Sequence, residues 1–156
     1  MADVVTLIAA VIAAIVATIG YAVTVRAKLL EDRRKTYADA LAAVHAYQSL
    51  PHRIRRRDDG SSEAASLGHE ISTIQQNLDY YRNLLYLDSP ELGDGYTALV
   101  QASRDQGKKY RDQAWERPPA LSYPETYRYK VTDEMNLCLR RMRRHLRLIP
   151  VPWDRS

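Results

Sequence analysis

The chain opens with a long apolar run, and the positions after it alternate between apolar and polar at helical spacing. From Val4 to Val25 there are 22 consecutive residues without a formal charge. As an α-helix this run is about 33 Å long, enough to cross a hydrocarbon layer of about 30 Å. A chain of 156 residues offers too little protein to bury such a helix on all sides. We therefore predict that residues 1–25 contain a transmembrane helix.

The charges that flank this run predict how it is oriented. No Lys or Arg precedes Arg26, and basic residues follow at once with Arg26 and Lys28. A cleavable signal peptide would instead begin with a basic segment, so we predict a signal anchor. Because positive residues stay on the cytoplasmic side, we expect a single-pass protein of the inner (plasma) membrane with its N-terminus outside. Residues 26–149 would form the cytoplasmic domain and residues 150–156 a tail.

Small residues recur every four positions within the predicted span, at Ala9, Ala13 and Ala17. Such a ridge allows two helices to approach closely in lipid, and it predicts self-association of the transmembrane helix. The general abundance of Ala in the chain is an alternative explanation of the spacing.

Four helical stretches are predicted from apolar periodicity and from the Pro, Gly and Ser residues between them. Their predicted bounds are residue 26 to about Leu50, Ser61 or Ser62 to about Asp88, Pro90 to about Trp115, and about Glu125 to Leu148. Proline lacks the amide hydrogen that a helix interior needs, so the first stretch is expected to end at Pro51.

The second stretch has the most regular apolar pattern, with steps of four and three residues that are typical of a helix seam. The seam consists of Leu67, Ile71, Ile74, Leu78, Tyr81 and Leu85. We predict an all-α fold: an up-down four-helix bundle whose first helix is continuous with the transmembrane helix. An extended coiled-coil oligomer, with helices shared between chains, is the alternative.

The bundle geometry predicts where two groups of basic residues lie. If the first helix descends from the membrane, the fourth returns to it, and arginine and tryptophan suit the lipid headgroups there. The predicted membrane-surface contacts are Arg26, Lys28, Arg140, Arg141, Arg144, Arg147 and Trp153. A second group would lie at the far end, where it could contact a protein partner or nucleic acid: Arg53, Arg55, Arg56 and Arg57.

Signatures of catalysis are absent from the sequence. It contains no HExxH motif, no paired cysteines for zinc, no glycine-rich phosphate loop and no Gly-x-Ser-x-Gly. Cys138, Met142 and His145 share one helix face and could bind copper, but the same spacing is that of a core seam, which we favour. We therefore predict no enzyme, no catalytic or metal-binding residue, no cofactor and no small-molecule substrate.

These observations lead to one functional prediction and two alternatives. The prediction is a membrane-anchored, non-enzymatic helical module that self-assembles or binds a protein partner at the cytoplasmic face of the membrane. One alternative is a membrane-perturbing effector of phage lysis or phage defence that oligomerises through its transmembrane helix. The other is a membrane tether that binds nucleic acid through the Arg-rich loop. Arg greatly outnumbers Lys, which suggests a GC-rich bacterial or phage genome.

Overall fold

The computed structural model describes residues 2–57, 61–116 and 127–147. This part of the chain is all-helical, as predicted, with four helices and no strand. The helices are α1 (Ala2–Arg55), α2 (Ser61–Asp88), α3 (Pro90–Glu116) and α4 (Thr132–Arg147). The chain divides into two compact units, Met1–Lys35 and Thr36–Ser156. We call them the N-terminal unit and the helical domain; α1 contributes residues to both.

The N-terminal unit leaves its apolar side chains uncovered. Ile12 is 57% exposed and Val16 is 63% exposed, and the described side chains from Ala9 to Val25 are all exposed. The hydroxyl groups of Thr18 and Thr24 donate to the carbonyl groups four residues earlier, at 2.8 and 2.9 Å. The prediction of a long apolar N-terminal helix is confirmed: by length and composition, α1 suffices to cross a membrane.

The helical domain has a hydrophobic core to which all four helices contribute. One fully buried side chain from each helix illustrates this: Val44, Leu78, Leu99 and Cys138. α1 supplies only residues after Lys35 to this core, beginning with Tyr37. A mostly charged stretch, residues 26–36, separates these core residues from the apolar run that ends at Val25.

The predicted seam of α2 is buried in this domain. Leu67, Ile74, Leu78 and Leu85 are buried, and Ile71 and Tyr81 are partly buried against the same core residues. The seam prediction is confirmed, and the residues that cover it belong to the same chain.

Tyrosine hydroxyls hold parts of this core in place. Tyr96 of α3 is completely buried, and its hydroxyl donates to the carbonyl oxygen of Ala40 in α1 at 3.1 Å. Burial strongly raises the pKa of Tyr96, so this donor keeps its proton. The bond satisfies a polar group that would otherwise be costly to bury.

The prediction that the first helix ends at Pro51 is wrong, because α1 continues to Arg55 with Pro51 inside it. A proline inside a helix costs about 3 kcal/mol. The extra turn, however, buries Ile54 completely, against Leu67 of α2 and Ala114 of α3. Burying a side chain of this size contributes about 1.5–3 kcal/mol, which largely offsets the cost of the proline.

The predicted start of the fourth helix is also wrong. The helix begins at Thr132, and residues 127–131 are not helical; Glu125 and Leu148 lie outside the described residues. The side chain of Gln106 in α3 bonds both the amide and the carbonyl of Lys130, at 2.7 and 3.1 Å. Tyr110 donates to the carbonyl of Arg128 at 2.9 Å. Side chains of α3 thus supply bonds that a helix would have supplied, and this segment is not helical.

Glycine in α3 makes room for aromatic rings rather than breaking the helix. A Cβ atom on Gly107 would lie 2.9 Å from Cε1 of the buried Tyr47 and 3.1 Å from the hydroxyl of Tyr129. Real Cβ atoms do not approach a ring so closely. The glycine is therefore needed for the close contact between α1, α3 and the segment before α4.

Candidate functional site

The predicted self-association ridge lies on the exposed surface of the N-terminal unit. Ala9, Ala13 and Ala17 are all exposed along α1. Gly20 continues the run of small residues, and a Cβ there would meet no atom within 4 Å. The same unit contains Arg26, which is partly buried, and Lys28, which is exposed.

The four arginines predicted to contact a partner are mostly engaged within the helical domain. Arg55 is 7% exposed, and Arg53 forms an ion pair with Glu70 of α2. Among these four, Arg56 is the exposed residue for which no ion pair is described. The ion pair of Arg53 and the burial of Arg55 reduce the number of arginines available to a partner.

Arg57 ties the end of α1 to the end of α3. Its guanidinium donates to the carbonyl oxygens of Ile54 (2.8 Å), Ala114 (3.1 Å) and Trp115 (3.3 Å). The same group lies 4.7 Å from the centre of the Trp115 ring. These bonds satisfy carbonyls at two helix ends, which is a structural role for Arg57.

The α4 arginines predicted to contact the membrane differ in exposure. Arg140, Arg144 and Arg147 are exposed, whereas Arg141 is partly buried and donates to the carbonyl of Glu91 at 2.8 Å. Trp153 lies outside the described residues.

Three helices of the domain meet in a polar cluster, which we call the Tyr37 cluster. The Tyr37 hydroxyl donates to Oδ2 of Asp88 at 2.6 Å and lies 2.8 Å from Nδ1 of His145. Oδ2 of Asp88 and Nδ1 of His145 are themselves 3.4 Å apart. Beside this cluster, Arg141, Arg144 and His145 line a cavity of about 380 Å³ together with the start of α3.

The residues that could have bound copper are divided between the core and the Tyr37 cluster. Cys138 and Met142 are buried in the core, while His145 bonds to Tyr37. Burial raises the pKa of the Cys138 thiol to about 11, so this thiol is almost wholly protonated near neutral pH. Within the described ranges, no group of three or more His, Cys, Asp or Glu side chains is arranged to hold a metal.

A basic cleft that the sequence analysis did not predict lies between α1, α2 and α3. It has a volume of about 510 Å³ and is lined by Tyr47, Gln75, Arg104, Asp105, Lys108 and Arg111. The signal in the sequence is the spacing of its three cations, which occupy positions i, i+4 and i+7 of one helix face. The partners from α1 and α2 could not be found by spacing, because they are distant in sequence.

The chain was compared with known protein families, with curated proteins and with solved structures, and no match was found.

Proposed function

We propose that this chain is a membrane-anchored, non-enzymatic helical module that self-assembles or binds a protein partner at the cytoplasmic face of the membrane. The observation that carries the proposal is the contrast between its two units. The helical domain buries apolar residues of all four helices in its own core, whereas the described side chains from Ala9 to Val25 are all exposed on a helix that is long enough to cross a membrane.

The energetics of the N-terminal unit favour insertion into lipid. Transfer of an exposed Val or Ile side chain from water to lipid stabilises the inserted helix by roughly 1 kcal/mol or more. Val11, Ile12 and Ile15 are examples, and each is more than half exposed. Polar groups within the span carry little penalty, since Thr18 and Thr24 bond their own helix. In water, the same surface would promote aggregation.

The proposed topology of the helical domain is an up-down four-helix bundle. Contacts at its two ends support this. Tyr37, early in the domain, meets the end of α2 and the last turns of α4. Ile54, at the end of α1, packs against Leu67 near the start of α2 and Ala114 near the end of α3. Successive helices that alternate in direction would produce this pairing of ends.

The proposed membrane-facing surface of this bundle is the end that holds the Tyr37 cluster. That end contains the first residues of the domain, and Arg144 and Arg147 are exposed on α4 close to it. Exposed arginines there suit anionic headgroups.

Labelling of single cysteines in intact cells tests the anchor and its orientation. Asp3→Cys and Asn83→Cys place a thiol at exposed positions of the N-terminal unit and of α2. A membrane-impermeant maleimide should label Asp3→Cys in intact cells and Asn83→Cys only after the cells are permeabilised. The unmodified chain is the control, because its one thiol is buried. Recovery of the protein in the soluble fraction, or the reverse labelling, would contradict the proposal.

Self-assembly through the alanine ridge can be tested in the same Asp3→Cys background by oxidative cross-linking in membranes. Ala13→Leu adds bulk to the ridge and should abolish the cross-linked dimer. Val11→Leu changes a residue about 160° away around the helix and should leave it intact. Loss of the dimer in both variants, or in neither, would argue against this ridge. Of the two proposed roles, binding of a protein partner would then remain.

A further inference from the structure

The basic cleft between α1, α2 and α3 concentrates positive charge that the described residues neutralise only in part. Arg104, Lys108 and Arg111 all line it, and Asp105 is the one acidic side chain in the lining. An oxygen of Asp105 is already bonded to Gln101 at 2.8 Å. Like charges at this spacing on a helix repel one another, so packing alone gives no reason for the arrangement.

The three cations have few partners within the domain. Arg104 reaches Asp79 over a long 3.4 Å contact, and Asp79 also attracts Arg82 at 3.5 Å. Among the described residues, neither Lys108 nor Arg111 forms a hydrogen bond or an ion pair through its side chain. Hydrogen-bond donors are therefore available to a ligand in the cleft.

One arginine is held in position without using its hydrogen-bond donors. The guanidinium carbon of Arg111 lies 5.2 Å from the centre of the Tyr47 ring. A guanidinium that lies over an aromatic ring contacts the ring through its planar face. Its N–H groups point outward in that plane and stay free to bind a ligand. Burial raises the pKa of Tyr47, and the charges of Arg111 and Arg104 act in the opposite direction. Both arginines therefore lie close enough to Tyr47 for their charges to act on its hydroxyl.

We propose that the basic cleft binds a small molecule that carries a phosphate or diphosphate group. Planar guanidinium groups and a lysine are the side chains that proteins use for phosphate oxygens. The side-chain amide of Gln75 adds a neutral donor and acceptor at the α2 wall. A volume of about 510 Å³ falls in the range of small-ligand sites, roughly 300–1,000 Å³. The phosphate oxygens bind Arg104, Lys108 and Arg111, and the rest of the ligand contacts Gln75 and the edge of Tyr47.

This site goes beyond the proposed function, and it does not depend on the membrane anchor. It gives the module a small ligand that bridges side chains of three helices. The sequence alone predicted no small-molecule ligand.

The test is isothermal titration of the full-length protein, in uncharged detergent at physiological salt, with inorganic pyrophosphate. The unmodified protein should bind with a Kd below about 1 mM. Lys108→Ala should weaken binding about tenfold, which corresponds to the loss of one charge-assisted hydrogen bond. Adenosine triphosphate should compete with pyrophosphate, whereas adenosine should not.

The matched control is Lys109→Ala. Lys109 is the next residue along α3, is also exposed and is not among the residues that line the cleft. The two variants have the same net charge, and both should fold, because neither side chain is buried. Salt screens the effect of distant charges, so Lys109→Ala should keep Kd within about twofold of the unmodified protein. Equal weakening by the two variants, no binding at about 1 mM pyrophosphate, or competition by adenosine would each overturn the proposal.

Discussion

Replacement of Gly107 by alanine should destabilise the helical domain, although alanine is the better helix former. In an exposed helix interior, the change from Gly to Ala contributes about 0.5–1 kcal/mol of stability. At Gly107 the added Cβ would overlap Cε1 of Tyr47, which is 2.9 Å away and belongs to a ring that is only 2% exposed. Overpacking of a buried site costs about 1–3 kcal/mol. The net expectation is a loss of about 0.5–2 kcal/mol.

Gly68→Ala is the matched control, since it makes the same chemical change in the middle of a helix. A Cβ at Gly68 would meet no atom within 4 Å, and the residue is exposed. This variant should therefore gain about 0.5–1 kcal/mol. The two alanine variants should differ by about 1–3 kcal/mol in the free energy of unfolding, with opposite signs relative to the unmodified protein.

Thermal unfolding of the full-length protein in detergent micelles, followed by near-ultraviolet circular dichroism, measures this difference. The tyrosine signal reports the packing of the helical domain, because ten of the eleven tyrosines follow residue 35. At about 4 °C per kcal/mol for a domain of this size, the Tm values should lie about 4–12 °C apart. If Gly107→Ala were as stable as Gly68→Ala, the close contact with Tyr47 would not limit the packing of α3, and the reasoning would be refuted.

Further predictions concern individual contacts of the helical domain. With its pKa at about 11, the Cys138 thiol should be ionised in about one molecule in a thousand at pH 8. Maleimide should modify it slowly in the folded protein at pH 8 and quickly in the unfolded protein; fast labelling of the folded protein at pH 8 would contradict its burial. Gln106→Ala removes two bonds to the Lys130 backbone, so it should cost about 1–2 kcal/mol and accelerate hydrogen exchange at the Lys130 amide. Tyr96→Phe should lower the free energy of unfolding in urea by about 0.5–1.5 kcal/mol, whereas Tyr80→Phe, at a position 59% exposed, should leave it unchanged.

The features that sequence predicted well are those encoded by local periodicity. The uncharged run and the α2 seam each repeat a simple pattern over many residues, so the exposed apolar helix and the buried seam followed from spacing alone. The junction between α2 and α3 was equally local: Ser89 separates the two helices, and Pro90 is the first residue of α3, where its missing amide hydrogen has no cost.

The errors arose where residues distant in sequence determine the local structure. Pro51 predicts the end of a helix, but α1 continues past it because the next turn buries Ile54 against two other helices. Tyr127 and Val131 have helical spacing, yet the backbone between them is not helical, and Gln106 bonds both polar groups of the Lys130 backbone. The basic cleft was missed for the same reason, because its walls come from three helices and only one wall has a pattern in the sequence.

The use of tyrosine in place of phenylalanine has a consequence for how many ways this core can be assembled. Eleven tyrosines and no phenylalanine occur in the chain. Apolar seams alone tolerate helices that slide past one another by a whole turn, because each new alignment again places apolar residues opposite apolar residues. A slide of about 5.4 Å between α3 and α1 would separate the Tyr96 hydroxyl from the Ala40 carbonyl. The carbonyl would keep its bond within α1, but the hydroxyl would be buried without a partner, at a cost of about 1–3 kcal/mol. The hydroxyl therefore specifies the register of α3 against α1. It contributes little to the total stability, but it distinguishes the native alignment of these helices from the shifted ones.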